Sequence, residues 1–266
     1  MPENFLNDLR VTLIQTSLHW ENPAANRQMI SKHFDSVKEE TDIMVLPEMF
    51  STGFTMNTSA AETINGKTVE WLKQEAQRKK CIITGSLLIH EAGKYFNRLF
   101  WMKPGGDFMT YNKRHLFRLS GEEKIFTPGN KKLVTELKGW KICPLVCYDL
   151  RFPVWSRRTP KADYDILIYV ANWPQKRIAA WNQLLPARAI ENQSYVIGVN
   201  RWGKDGNNAE HPGYSVALDF TGKKLNTKES GEFIETVSLS YSSLQQFRNQ
   251  FPFHLDADEF KLEKGK

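Results

Sequence analysis

Apolar and polar residues follow one another along the first fifty positions in a pattern that changes from strand to helix and back. Residues 11–15 form a short apolar run typical of a buried strand. Residues 22–40 carry apolar side chains at helical spacing, and a second apolar run, residues 43–47, follows them. This order predicts a β-α-β unit at the start of the chain.

The next segment predicts one helix and then strands that have no helix between them. Residues 67–80 have helical spacing, and the apolar run 81–89 predicts a buried strand after that helix. Two short strand patterns, 97–102 and 108–111, are separated only by turn residues, so we expect them to pair antiparallel. Residues 115–132 show no clear period and are predicted to be a long loop, a feature that is often functional in a compact domain.

The second half of the chain alternates between strands and helices again. The predicted elements are a hairpin over 133–147, a strand over 165–171, a helix over about 175–191, and strands over 195–200, 214–219 and 232–237. Pro186 interrupts the expected helix and leaves its boundaries open, because an interior proline removes a helical hydrogen bond. Mixed strand pairing with helices between strands indicates a layered α/β fold.

Composition gives no reason to divide the 266 residues into separate domains. Hydrophobic residues make up 41% and charged residues 25%, as in an ordinary globular protein with a sizeable core. The sequence has no repeat, no low-complexity linker and no shift in composition. We therefore expect a single domain over residues 1–258 and a frayed carboxyl-terminal tail over residues 259–266.

The charge pattern argues against nucleic-acid and membrane partners. The net charge is +6, but 36 basic residues are scattered among 30 acidic ones, with no long basic run. No stretch approaches the ~18 apolar residues of a membrane span. The first eight residues contain acids where a signal peptide would carry lysines and an apolar segment, so we expect a cytoplasmic location.

The cysteine and histidine content gives no support for a metal site. Three cysteines, Cys81, Cys143 and Cys147, cannot complete a disulfide framework, and their number suits a reducing compartment. If the segment is a strand, Cys143 and Cys147 lie roughly 13 Å apart, which is too far for one disulfide or one metal ion. The six histidines form no zinc-binding motif. We expect no metal.

Three polar residues stand in unusual settings. Cys147 ends an apolar run and is followed at once by polar sequence, which places its thiol at a sheet edge; Glu48 closes the apolar run 43–47; Lys113 lies in a polar segment after a predicted strand. Each has an ordinary explanation as a small buried residue, a helix cap or a solvated lysine. Together they supply the thiol, carboxylate and ammonium that covalent amide hydrolysis needs.

The segments that carry these residues resemble, in order and spacing, the glutamate, lysine and cysteine motifs of the nitrilase superfamily of carbon-nitrogen hydrolases. The matching segments are residues 46–48, 111–117, 145–153, 171–174 and 187–193. The resemblance covers nearly the whole chain and implies a four-layer α-β-β-α sandwich with mixed sheets, paired into a homodimer. It also implies a second carboxylate, which we place at Glu122, with the neighbouring Glu123 as the open alternative.

The chemistry of amide hydrolysis assigns a role to each of these groups. A free thiol is mostly protonated at neutral pH, so attack on an amide needs a base, and Glu48 can take the proton and return it to the departing ammonia. An ordinary glutamate is a weak base, so burial or a neighbour such as Glu122 must strengthen it. Lys113 and the backbone N–H of Tyr148 would face the developing oxyanion. Water then releases a thioester from Cys147, and no metal or organic cofactor is required.

Three motifs have amino-acid sequences that resemble those of the omega-amidase branch, namely residues 113–117, 147–155 and 171–174. Members of this branch hydrolyse 2-oxoglutaramate and 2-oxosuccinamate to dicarboxylates. Such a substrate carries a carboxylate, so the pocket needs a cation or amide donors. Arg118, Arg151 and Arg201 are candidates. A structural salt bridge is the alternative for each of them, and it is the expected role of Arg151. Phe117 and Trp173 are expected to wall the pocket, with aromatic core packing as the alternative.

Two other functions remain open. The chain is either a carbon-nitrogen hydrolase for another small amide, an N-carbamoyl compound or a nitrile, or a catalytically silent scaffold that keeps the fold. The presence of Glu48, Lys113 and Cys147 argues against the scaffold. A serine hydrolase is the weakest alternative, because residues 213–217 lack the closing glycine of a nucleophile elbow.

Overall fold

A computed structural model describes residues 8–262 and contains a six-stranded mixed sheet. Its strands are β1 Leu9–Gln15, β2 Ile43–Val45, β3 Ile82–Glu91, β4 Lys94–Met102, β5 Phe108–Asn112 and β13 Phe233–Leu239. Their order across the sheet is β13-β1-β2-β3-β4-β5. The central strands β1, β2 and β3 are parallel, and the other pairs are antiparallel.

A second mixed sheet has five strands. Its strands are β6 Thr135–Leu137, β7 Trp140–Val146, β8 Ile166–Ala171, β9 Tyr195–Asn200 and β12 Val216–Leu218. The order is β12-β9-β8-β7-β6, with β7, β8 and β9 parallel and an antiparallel strand at each edge. A separate two-stranded ribbon is formed by β10 Trp202–Lys204 and β11 Glu210–Pro212.

Six α-helices connect or follow these strands within residues 8–262. They are α1 Pro23–Ser36, α2 Lys67–Lys79, α3 Glu122–Ile125, α4 Pro153–Ser156, α5 Ile178–Asn192 and α6 Tyr241–Gln250. Short 3-10 helices cover Thr58–Ala60, Arg118–Ser120, Cys147–Arg151, Gln175–Arg177 and Phe253–Asp256. Helix α1 begins where it does because the Asn22 side chain accepts the Ala25 N–H at 3.1 Å and proline occupies the first helical position.

Two hydrophobic clusters fill the three interfaces between four layers. Val11 and Leu13 of β1 pack into the core between the two sheets, whereas Ile14 packs into a second core with Phe34 of α1 and Leu72 of α2. This division follows from the strand period of two, which sends successive side chains to opposite faces. Helix α5 covers the outer face of the second sheet. The predicted α-β-β-α sandwich with mixed sheets is confirmed.

Most element predictions agree with the structure, and the differences have local causes. The β-α-β start, the antiparallel β4–β5 pair and the β8-α5-β9 unit are confirmed. Residues 115–132, predicted to be a loop, contain the 3-10 turn Arg118–Ser120 and helix α3. Four helical residues are too few to produce a readable hydrophobic period. Helix α6 and the β10–β11 ribbon had no sequence prediction.

Helix α5 continues through Pro186. The proline leaves the carbonyl of Asn182 without its helical donor, and Asn182 is exposed, so water can replace that hydrogen bond.

At the carboxyl end, residues 259–262 are exposed and have no helix or strand, while residues 263–266 lie outside the described residues. The single domain and its frayed tail stay predictions. Among the described residues, no helix is long and apolar enough to cross a membrane.

Candidate active site

Polar side chains from both sheets converge beyond the carboxyl ends of several strands. Glu48 lies three residues after β2, Lys113 directly after β5, and Cys147 and Asn172 directly after the parallel strands β7 and β8. Parallel strands deliver their carboxyl ends to the same edge, which is where open α/β sheets usually bind ligands. The three residues predicted to carry the chemistry are therefore brought together.

The chain turns sharply at Cys147. Its backbone lies in the left-handed region, with φ +43°, between β7 and the 3-10 helix Cys147–Arg151. Such a conformation costs a non-glycine residue roughly 1–3 kcal/mol and persists only when its surroundings hold it. Asp149 supplies that support, because its Oδ2 accepts the Val146 N–H at 3.1 Å and the Tyr111 hydroxyl at 2.7 Å.

The Cys147 thiol is nearly buried, with 9% of the residue exposed. Burial, followed by the neighbouring Glu48 carboxylate, raises the pKa of Cys147 well above its usual value, while the Lys113 ammonium opposes the shift. The resting group is therefore the thiol, and it needs a base beside it before it attacks. Cys81 and Cys143 are also free and buried, and burial raises the pKa of each to about 12.

The Glu48 carboxylate is fully buried and fixed by three donors. Its Oε1 accepts a hydrogen bond from Lys113 Nζ at 2.9 Å and another from Asn97 Nδ2 at 2.8 Å. Its Oε2 accepts the backbone N–H of Asn172 at 2.9 Å. The carboxylate is held in one orientation beside the thiol, as a base must be.

Lys113 binds a second buried carboxylate, that of Glu122. Its Nζ lies 2.9 Å from Glu122 Oε2 and 3.1 Å from Oε1, and only 1% of the lysine is exposed. Glu122 Oε2 also accepts the Phe117 N–H at 2.6 Å. The Glu123 side chain makes none of these contacts, so Glu122 is the second carboxylate of the cluster.

The cluster holds two carboxylates and one ammonium away from water. Burial works to lower the pKa of Lys113, but the charges of Glu122 and Glu48 outweigh it and raise that pKa. Burial and the Glu48 carboxylate raise the pKa of Glu122 against the opposing Lys113 charge. Lys113 is thus a permanent cation that can face a developing oxyanion.

The backbone N–H of Tyr148 lies in the first turn of the 3-10 helix Cys147–Arg151. Backbone N–H groups in a first helical turn have no partner within the helix. The Tyr148 ring packs edge-on against Phe117, with 5.0 Å between the ring centroids. The geometry therefore leaves this N–H available as the predicted second donor.

A cavity of about 560 Å³ opens onto the cluster. Glu48, Lys113 and Cys147 lie in its wall, together with aromatic side chains from several loops. These aromatic residues are Trp20, Phe54, Phe117, Tyr148 and Trp173. The prediction that Phe117 and Trp173 wall the pocket agrees with this arrangement, and the volume is suited to a small molecule.

The arginine expectations need correction. Arg201 is fully buried and donates to the Lys204 carbonyl at 2.9 Å, and Arg118 is exposed; neither lines the cavity. Arg151, expected in a structural salt bridge, lines the cavity and lies over the Trp173 ring at 5.1 Å. Arg177, which the sequence did not single out, lines it too and lies 4.7 Å from the Phe117 ring centroid. Within residues 8–262 neither of these two guanidinium groups has an acidic ion-pair partner.

Two asparagines in this region escaped the sequence analysis. Asn172 was noticed only as part of the segment 171–174, and Asn97 only as the first residue of a predicted strand. Both hydrogen-bond to Glu48. The available signals were an amide side chain within an apolar strand for Asn97 and an amide directly after a strand for Asn172, and both are weak without knowledge of the strand pairing. For metals, the described residues contain no group of three or more His, Cys, Asp or Glu side chains that could hold a metal ion, and the expectation of no metal stays a prediction.

A buried cysteine, glutamate and lysine at the strand ends of an α-β-β-α sandwich define a cysteine-dependent hydrolase of carbon-nitrogen bonds. The family model for carbon-nitrogen hydrolases matches residues 10–249, and the chain belongs to this family.

Individual relatives cover almost the entire chain. The chain is 41% identical to omega-amidase YafV of Escherichia coli (strain K12), over 96% of this chain and 98% of that protein. It is 29% identical to the 2-oxoglutaramate amidase of Bacillus subtilis (strain 168), over 91% and 95%. Among solved structures, XC1258 of Xanthomonas campestris, described as a CN-hydrolase superfamily protein with an arsenic adduct in the active site, superposes with a TM-score of 0.94. It is 40% identical and is covered completely, against 97% of this chain.

Proposed function

We propose that the protein hydrolyses the terminal amide of a small 2-oxo acid amide, such as 2-oxoglutaramate or 2-oxosuccinamate, to the dicarboxylate and ammonia. The observation that carries the proposal is the Cys147–Glu48–Lys113 cluster, which opens into a cavity that also contains two guanidinium groups without acidic partners among residues 8–262. The names of the relatives in Escherichia coli and Bacillus subtilis support the substrate class.

The first half of the reaction forms a thioester. Glu48 takes the proton of the Cys147 thiol as the sulfur attacks the amide carbon, and the carbonyl electrons move to the oxygen. Lys113 Nζ and the Tyr148 N–H receive the resulting oxyanion. When the carbonyl re-forms, the carbon–nitrogen bond breaks, and the proton held by Glu48 passes to the nitrogen, which leaves as ammonia.

The second half returns the enzyme to its starting state. A water molecule enters the position that ammonia has left, and Glu48 takes one of its protons as the oxygen attacks the thioester. Collapse of the second oxyanion breaks the carbon–sulfur bond, and the Glu48 proton returns to the Cys147 sulfur. Glu122 keeps Lys113 in place throughout, because it binds the ammonium with both oxygens.

Arg151 and Arg177 are the groups that we propose for the substrate carboxylate. Each guanidinium is in contact with an aromatic face rather than an acid, so its hydrogen-bond donors remain available to a ligand. A 2-oxo group accepts a hydrogen bond from such a site, whereas the ammonium of a 2-amino acid is repelled by it. The arginines therefore favour 2-oxo acid amides over L-glutamine.

Assays with a graded set of amides test this proposal. Ammonia release is measured with 2-oxoglutaramate, with glutaramate, which lacks the 2-oxo group, with L-glutamine, and with neutral butyramide. We expect kcat/KM to decrease in that order, with L-glutamine and butyramide at least about 100-fold below 2-oxoglutaramate. Arg177→Met removes one of the two guanidinium groups proposed for the substrate carboxylate and should lower kcat/KM for 2-oxoglutaramate, with Lys176→Met, at an exposed neighbour, as its control.

Each outcome of the substrate panel separates one of the candidate functions. No turnover of 2-oxoglutaramate at millimolar concentration sinks the proposed substrate. The same ammonia assay is run with an N-carbamoyl compound and a nitrile, and turnover of either of these instead identifies the broader carbon-nitrogen hydrolase alternative. A silent scaffold releases no ammonia from any of these compounds and traps no acyl group on Cys147.

We also propose a homodimer in the cytoplasm. Residues 251–262 expose several large apolar side chains, namely Phe251, Phe253, Leu255, Phe260 and Leu262. Exposed apolar groups concentrated in one segment are typical of a protein–protein contact. Sedimentation of the full chain tests the dimer, and Leu255→Glu is expected to shift it towards the monomer.

Three free cysteines suit a reducing compartment, which supports the proposed cytoplasmic location.

A further inference from the structure

Asn97 occupies the centre of the buried charge cluster. It lies on β4, is 1% exposed, and its backbone carbonyl accepts the Lys113 N–H at 2.9 Å. Its side-chain Nδ2 donates to Glu48 Oε1 at 2.8 Å and lies 3.4 Å from Glu122 Oε1. One amide nitrogen therefore bridges the two carboxylates that also share the Lys113 ammonium.

The orientation of this amide follows from its surroundings. Ionised carboxylates only accept hydrogen bonds, so the amide must turn its NH₂ group, rather than its oxygen, towards Glu48 and Glu122. Asn97 Oδ1 has no hydrogen-bond partner among the described residues, although it is buried. A buried amide oxygen without a donor is unfavourable, so the arrangement is explained by the two bonds on the nitrogen side.

The titratable side chains that face the cluster around Asn97 come from four different segments of the chain. They are Glu48, Lys113, Glu122 and Cys147. The adjacent residue on β4, Arg98, points to the opposite face of the sheet, where it binds Glu91 at 2.9 Å and Asn112 at 2.7 Å. Arg98 therefore does not supply a second cation to the carboxylates.

We propose that Asn97 is a positioning residue that holds the Glu48 and Glu122 carboxylates in place and apart, so that Glu48 is oriented to take the Cys147 proton. This inference rests on the roles proposed above for Glu48 and Cys147. A neutral donor suits the position better than another cation. The NH₂ group stabilises both negative charges through hydrogen bonds, but it does not cancel the charge that makes Glu48 a base.

The test compares Asn97→Leu and Asn97→Asp with wild type. Asn226→Leu is the matched control, because Asn226 is also a buried amide, hydrogen-bonded to the Ala217 N–H and the Lys228 carbonyl, and does not line the cavity. Two pH profiles are recorded for each protein. One is kcat/KM for 2-oxoglutaramate, and the other is the rate at which iodoacetamide alkylates Cys147, which requires no substrate. Circular dichroism gives the folded fraction.

Loss of the donor disfavours the ionised carboxylates. In Asn97→Leu the acid limb of both profiles should therefore move to higher pH by about one unit, with kcat reduced about 10- to 100-fold and KM little changed. Asn97→Asp keeps the shape but adds an acceptor, so its activity should be lowest at neutral pH and recover as the pH falls and the new carboxyl becomes a donor. Asn226→Leu should melt earlier with both acid limbs unchanged.

A purely structural role gives a different result. If both Asn97 variants keep the wild-type acid limb and lose activity only in proportion to their folded fraction, the proposal is overturned. Should Asn97→Leu fail to fold, the near-isosteric Asn97→Asp decides, because a wild-type pH profile for it is incompatible with a donor role. If the proposed substrate is wrong, wild type shows no turnover of 2-oxoglutaramate, but the alkylation profiles still report on Asn97. Failure of the substrate proposal can therefore be distinguished from failure of the Asn97 proposal.

Discussion

Replacing Lys113 by methionine probes the charge balance of the site most directly. The ammonium makes three contacts of 2.9–3.1 Å with Glu48 and Glu122, and almost none of the lysine is exposed. Methionine fills a similar volume without the charge. The variant therefore leaves two buried carboxylates facing each other with Asn97 as their shared neutral donor.

The expected size of the effect follows from these contacts. Removing one partner of a buried ion pair costs about 3–5 kcal/mol of the free energy of unfolding, because the remaining charge stays buried. At about 2–4 °C per kcal/mol for a chain of this length, Tm should fall by about 6–20 °C. Loss of an oxyanion donor should separately reduce kcat by about 100- to 1000-fold.

The stability loss should depend on pH. Burial and Glu48 already raise the pKa of Glu122, and Lys113 opposes that shift. A carboxyl group whose pKa is raised by folding stabilises the fold while it is protonated, and this contribution is lost as the pH rises through the folded-state pKa. Without Lys113 the pKa of Glu122 rises further. The Tm penalty of Lys113→Met should therefore be larger at pH 8 than at pH 5.

Thermal melts at pH 5 and pH 8, with ammonia release at pH 7, measure both effects. Lys124→Met is the control, because Lys124 is exposed in the neighbouring helix α3. The double variant Lys113→Met/Glu122→Gln removes one negative charge as well, so it should regain much of the Tm at pH 8 while remaining inactive. A single variant that melts within about 2 °C of wild type at pH 8, or equally early at both pH values, refutes the reasoning.

Three further predictions concern the cysteines and a remote ion pair. Cys147→Ala should keep the wild-type Tm within a few degrees and release no ammonia, and mass spectrometry should find an acyl adduct only on the wild-type chain. Iodoacetamide at pH 8 should modify Cys147 well before Cys81 and Cys143, because Cys147 lines the cavity beside the Glu48 carboxylate, whereas Cys81 and Cys143 are buried and do not line it; equal rates would contradict this. Arg248→Met breaks the buried pair with Asp165, whose Nη1–Oδ1 distance is 2.6 Å, and should cost about 3–5 kcal/mol of stability while kcat/KM at 25 °C stays unchanged.

The strands and the reacting groups were predictable because their signals are local. Each apolar run has the length of a strand, and the polar residues that follow β2, β5 and β7 mark strand ends in the sequence itself. Cys147 is recognisable from the sequence alone as the end of such a run. The choice between Glu122 and Glu123 was not local, because it depends on which side chain of α3 reaches Lys113.

The arginines that line the cavity, which we propose bind the substrate carboxylate, could not be assigned from sequence. The direction of a long side chain is decided by its neighbours in space, and Arg201 turns towards the Lys204 carbonyl whereas Arg151 and Arg177 turn towards Trp173 and Phe117. Nothing within two or three positions of these residues distinguishes the cases. The amide of Asn97 poses the same difficulty, since its partners come from segments far away in the chain.

Asp149 explains how a strained turn becomes a fixed part of the site. Its Oδ2 holds the Val146 N–H immediately before Cys147, and its Oδ1 accepts the backbone N–H of His115 at 3.0 Å, two residues after Lys113. One buried carboxylate thus connects the turn at Cys147, the proposed nucleophile, to the segment that carries Lys113, the proposed oxyanion cation. The unfavourable backbone of Cys147 can persist because this link would have to break for the turn to relax. The distance between sulfur and ammonium is therefore set before substrate binds, which is the pre-organisation that electrostatic catalysis requires.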